Sequence, residues 1–190
     1  MIDNEAQIAT RGDTSRRAFL QRSLWLSTFL VAGQLVRATP SEAKQLGFTP
    51  QVLSAEQVRA LEAVADFLVP GATAAGIAPY IDDQLNKGDK SLLMIKYLGV
   101  PLPDQAGFYT SALTAIDQAL NDASSPTHQK INDLIKAMGS DTVNNWQAPP
   151  ASFVLFVLRS DGLDVTYGTP AGFADLGIPY NAHIEPIELW

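Results

Sequence analysis

The residues of this chain whose types could do chemistry are few: two histidines and a handful of closely spaced carboxylates. His183 has Glu185 two residues on, a pair that could ligate a metal or act as a base. No further ligand type flanks it, so a hydrogen-bonded histidine at an interface is the simpler reading. His128 stands between Thr127 and Gln129 at an expected helix start, facing solvent. Asp82 and Asp83 are adjacent, and on a helix neighbours point about 100° apart, so they form no shared acid/base dyad. Near a helix start they read as dipole partners and solvated charges. Asp161 and Asp164 flank Gly162 and read as turn and cap residues. There is no cysteine, which excludes disulfides, thiolate nucleophiles, cysteine-ligated iron–sulfur clusters and covalent c-type haem. No glycine-rich nucleotide fingerprint, P-loop, H-E-x-x-H or G-x-S-x-G is present. No residue is singled out as catalytic, cofactor-binding or metal-ligating.

The most informative motif lies near the N-terminus. Ser15-Arg16-Arg17-Ala18-Phe19-Leu20 precedes an apolar run at residues 24–32, interrupted by Ser27 and Thr28. Paired arginines, then Phe-Leu, then a short apolar segment resemble a twin-arginine (Tat) export signal, with Ser15, Arg16, Arg17, Phe19 and Leu20 as its residues. The run is about half of the ~20 residues needed to span a bilayer, which suits a signal better than an anchor. Val36-Arg37-Ala38 is a poor small-x-small cleavage site, Ser41-Glu42-Ala43 a better one, and an uncleaved signal stays open. Residues 1–44 are therefore expected to be signal and linker, and residues 45–190 a single domain. A Tat address sends a folded protein across the membrane to the periplasm. Such a protein carries a cofactor or travels with something that does.

Composition is that of a globular chain: 46% hydrophobic and 17% charged residues in 190. Of 13 bases and 20 acids, six bases and four acids lie in residues 1–44, leaving seven against sixteen in the body. A net acidic body repels phosphate backbones, which argues against nucleic-acid binding.

The elements that would position these residues read mostly as helices. Residues 45–53, with Gly47 and Pro50, read as a linker. Ser54 and Gln57 have capping-box spacing, and Leu61, Val64, Ala65 and Leu68 follow on one helical face up to Pro70-Gly71. Pro79 opens a short helix. Residues 91–98 fit a short helix or a strand. Residues 104–122 carry a strong helical face: Tyr109, Ala112, Leu113, Ile116 and Leu120. Another helix starts behind Ser125 at Pro126 and is stopped by Gly139. Residues 152–158 are apolar all round, as in a buried helix or strand, and a helix fits the helical neighbours. From Asp161 the periodicity stops, and glycines and prolines break the chain. The expected fold is all-α: a small irregular helical domain with a long, extended, loop-rich C-terminal tail that packs on a partner.

Several stretches in order carry a family resemblance: the arginine pair, the helix ending at Pro70, and Gly76-Ile77-Ala78-Pro79-Tyr80-Ile81-Asp82-Asp83-Gln84-Leu85. Arg159-Ser160-Asp161-Gly162, Asp164-Val165-Thr166-Tyr167-Gly168, Gly172-Phe173 and residues 176–183 close it. The chain resembles the small (gamma, subunit 3) chain of membrane-bound gluconate 2-dehydrogenase and related flavoprotein dehydrogenases. The resemblance implies a periplasmic complex held at the inner membrane. A large FAD subunit oxidises the sugar acid, and a multihaem cytochrome c subunit passes electrons to ubiquinone. The small subunit binds no cofactor and supports folding and Tat export of the large one through the Tat translocase. Its contact with the partner is expected along the tail, at Tyr167, Gly168, Phe173, Ile178, Pro179, Tyr180, His183 and Trp190. The partner's substrate is left open between gluconate, a ketogluconate and another polyol. Two alternatives stand beside this one: an independent periplasmic enzyme with an unrecognised site, and a scaffold or binding protein tethered by an uncleaved helix containing Trp25.

Overall fold

The computed structural model describes residues 26–120 and 127–178, apart from the side chain of Pro170. They form one two-stranded hairpin and nine helices, so the all-α expectation holds for the bulk of the chain. Strands β1 (Ser27–Val31) and β2 (Gln34–Ala38) pair antiparallel, with Val31 opposite Gln34. The two residues between them, Ala32 and Gly33, have φ of 48° and 80°. Positive φ at both positions is what a tight two-residue hairpin turn requires. The helices follow: α1 (Pro40–Gln45), α2 (Ala55–Leu68), α3 (Ala72–Ala75), α4 (Ile77–Asn86), α5 (Met94–Tyr97), α6 (Leu102–Leu120), α7 (His128–Gly139), α8 (Ala151–Tyr167) and α9 (Pro170–Asp175). No helix among the described residues is long and apolar enough to cross a membrane.

Local sequence explains most of these boundaries. Ser54 Oγ accepts from the Gln57 amide at 3.2 Å, and Gln57 Oε1 accepts from the Ser54 amide at 2.8 Å, the reciprocal bonds of a capping box. Gln57 Nε2 also donates to Thr110 O and Thr114 Oγ1, both at 3.1 Å, which fastens the start of α2 to α6. Thr39 and Glu42 make a second capping box at α1, with Pro40 in the first turn. Thr127 caps α7 through its side chain. Ser125 and Pro126, where the helix start was expected, lie outside the described residues. Gly139 is the last residue of α7, and the positive φ that follows falls on Asp141 (52°).

The core is built on α8. It packs against α2, α3, α4, α5, α7 and α9. Its buried residues Val154, Val157, Leu158 and Val165 meet Leu61 and Val64 of α2, Ile77 and Ile81 of α4, and Tyr109, Leu113 and Ile116 of α6 in one cluster. Gly162 lets α8 approach the end of α2 closely: a Cβ there would stand 3.1 Å from Val69 Cγ2.

Two sequence expectations are corrected. The helical pattern does not stop at Asp161, because α8 continues to Tyr167 and α9 follows it. Glycine and aspartate at 161–164 imitate a turn signal, but here they serve helix packing and a buried hydrogen bond. Residues 91–98, left open between a short helix and a strand, hold the short helix α5. Residues 45–53 are not a free linker. Phe48 bridges to Val31, the Thr49 amide donates to Leu30 O at 2.6 Å, and three further amides are held by a buried carboxylate described below. Residues 27–45 are hairpin and helix packed on α4.

Candidate functional site

Two buried carboxylates organise the interior, and neither behaves as the sequence suggests. Asp82 on α4 is 3% exposed, not solvated. Its Oδ1 accepts from the amides of Val52 (2.9 Å) and Leu53 (2.8 Å), and its Oδ2 from the amide of Gln51 (2.8 Å). A single carboxylate thus satisfies three consecutive backbone donors of a loop that has no ladder to satisfy them. Asp83, its neighbour, faces another way. It accepts from Lys87 Nζ at 2.6 Å and from Ser27 Oγ at 2.9 Å, tying β1 to α4.

Asp161 lies in the middle of α8 and is fully buried. It accepts from the Met94 amide at 2.8 Å, which anchors α5, and from the Tyr109 hydroxyl at 2.5 Å on α6. Burial pushes its carboxyl up to about 7, against the opposing pull of those two donors. Burial and the nearby Asp161 charge push both the Tyr109 and Tyr80 hydroxyls upward. Asp164, on the same helix, is raised by partial desolvation of its carboxyl. Asp161 thus ties α5 and α6 to the middle of α8. Asp141 does a third such task. Its carboxylate accepts from Ser152 N (2.8 Å) and Oγ (2.6 Å), capping α8 where Pro150 offers no side-chain cap.

The surface carries a groove and several exposed large apolar side chains. A groove of about 850 Å³ opens between the first turn of α1, the Pro70-Gly71 turn with α3, the end of α8 and α9. Its walls are mostly small or apolar: Pro40, Ala74, Ala75, Val165, Ala171 and Leu176 among them. The wall of α9 lies tight on α8, since a Cβ on Gly172 would stand 2.2 Å from Thr166 O. Along the outside of α8, Phe156 (51% exposed) and Leu163 (42%) are two turns apart and share one face. Tyr97, Leu98 and Leu92 are further large exposed apolar residues beside α5.

The expected partner residues are only partly described. Tyr167 lines the groove at the end of α8, and Gly168 follows it as the cap. Phe173 sits half-buried in α9, and Ile178 is exposed just beyond it. Pro179, Tyr180, His183 and Trp190 lie outside the described residues, as do Ser15, Arg16, Arg17, Phe19 and Leu20. His128 is exposed, its ring 4.9 Å from that of Phe67. Trp146 is turned inward, its Nε1 donating to Pro149 O at 2.7 Å and its ring packed on the core. Among the described residues no three His, Cys, Asp or Glu side chains gather as a metal site would need. Sequence reasoning missed the wall formed by residues 39–42 and the stripe of Phe156 and Leu163. A signal existed for both: Thr39-Pro40-Ser41-Glu42 has capping-box form, and 156 and 163 have helical i, i+7 spacing.

Comparison with known proteins bears on what such a surface serves. A family described as gluconate 2-dehydrogenase subunit 3 matches residues 55–184, from the first residue of α2 onward. No curated protein and no solved structure matches the chain. With most of its length matched, the chain belongs to the gluconate 2-dehydrogenase subunit 3 family and is a small subunit of a dehydrogenase complex.

Proposed function

We propose that this chain is the non-catalytic small subunit of a periplasmic, membrane-associated FAD-dependent sugar-acid dehydrogenase. It stabilises the flavoprotein subunit and supplies the Tat signal on which both are exported. The family match over residues 55–184 carries the proposal. The arginine pair at Arg16-Arg17, the lack of cysteine and the exposed apolar surface around α8 support it. On this reading FAD belongs to the large partner and haem c to a cytochrome partner. The buried carboxylates hold the small subunit's shape.

The test is co-production of the small and large subunits with Arg16 and Arg17 both replaced by lysine. A Tat address is read by a receptor and not by charge alone. The flavoprotein is expected to stay in the cytoplasm. If it reaches the periplasm in normal amount, the escort role is wrong.

A further inference from the structure

We propose that the subunit works with its N-terminal address still attached, residues 27–48 being a structural arm of the mature chain. The proposal rests on reading Arg16-Arg17 as an export address. A protein exported in the folded state meets its processing peptidase already folded. The peptidase needs an exposed, extended segment, the kind found at loop tips and termini. Neither candidate cut offers one. Ala38 ends β2 and is 2% exposed; Ala43 lies in α1 and is 0% exposed. Between Arg17 and Ser27 no two small residues stand two positions apart; Val31-Ala32-Gly33, at the exposed hairpin tip, has the form of Val36-Arg37-Ala38, but a cut there would part β2 from its partner strand.

The arm is also tied in too well to be a spacer. Phe29, Ala38 and Ala43 form a buried cluster with Val31 and Phe48 packed against it. Ser27 Oγ donates to Asp83 and accepts from Lys87 Nζ at 2.7 Å. Lys44 pairs with Glu62 of α2. Gly76, with φ of 88°, lets the backbone of Pro40 come within 2.3 Å of where a Cβ would stand, so α1 is seated on the start of α4. A cut behind Ala43 would remove the cap of α1 and one wall of the groove. Half of the apolar run that makes the address legible, Ser27–Val31, is thus the strand that closes the fold.

The test is the intact mass and N-terminal sequence of the subunit purified in its complex. An N-terminus at or ahead of Arg16 is expected. Any N-terminus behind Arg17, at Thr39 or Lys44 above all, overturns the proposal. A second measurement uses the full chain. Phe29→Asp places a charge in the arm's cluster and is expected to lower the Tm by ~10 °C. Leu35→Asp, at a site 76% exposed, is expected to shift it by no more than ~2 °C. An unchanged Tm in Phe29→Asp would show that the arm is not part of the fold. Normal export of the Arg16→Lys, Arg17→Lys variant removes the export reading instead, and leaves the N-terminal measurement standing on its own.

Discussion

Asp161 and Asp82 are both buried carboxylates, yet they call for different experiments. Asp161 has a folded-state carboxyl near 7 where an ordinary aspartate titrates near 3.8, because burial disfavours its charge. The folded chain therefore binds this proton more tightly than the unfolded chain. Its contribution to stability is fully present below pH ~4 and is lost as pH rises through ~7. The Tm of the wild-type chain should fall over that window, and Asp161→Asn should flatten the fall while keeping an acceptor for the Met94 amide. Thermal melts at pH 4, 5.5 and 7.5 check this; an equally steep Asn variant would refute it. Asp82 acts through hydrogen bonds to three backbone amides. Asp82→Ala orphans them at a cost of about 3 kcal/mol or more, at ~1–3 kcal/mol per lost partner. For a chain of this length that is ~10 °C in Tm. The acid–acid pair at 82–83 was legible in the sequence, but not its burial, since a loop some 30 residues away supplies the donors.

At the scale of elements, α8 is the member on which the others converge. Gly162 sits where it crosses the end of α2, where even a Cβ would press on the Val69 side chain. Gly162→Val overpacks this crossing and should cost ~1–3 kcal/mol, measured by urea unfolding. The same helix presents Phe156 and Leu163 outward. On the proposed reading these are partner contacts, so Phe156→Asp with Leu163→Asp should weaken association with the flavoprotein ~10-fold or more and leave the subunit's own Tm within ~2 °C. Co-purification and thermal melts of the same preparation separate the two effects. An intact complex with the doubly substituted chain would move the interface elsewhere. The helix is apolar on nearly every side, so its sequence could not say which stripe stays uncovered. That depends on where α2, α4, α5 and α7 stop.

For the whole molecule, the acidic body and the basic N-terminal segment divide the labour. The body is a helical domain with a groove and an apolar flank, held by internal hydrogen bonds and core packing. The arginine pair lies ahead of a hairpin that this domain absorbs. The family assignment covers the body from Ala55 and leaves the hairpin and α1 outside it. The arm lies outside the matched region and forms one side of the groove.

The sequence by itself determined the helical class, the capped starts of α2 and α6's long apolar face, the family and the absence of thiol chemistry. These depend on local periodicity, side-chain reach within one turn and residue type. Only the tertiary structure decided that 27–31 is a strand, that α8 runs on to Tyr167, and that Asp82 and Asp161 are buried. Each of those turns on partners distant in the chain. A short apolar run fits a signal, strand or helix until a neighbour supplies its hydrogen bonds. An aspartate beside a glycine reads as a turn until packing removes it from water.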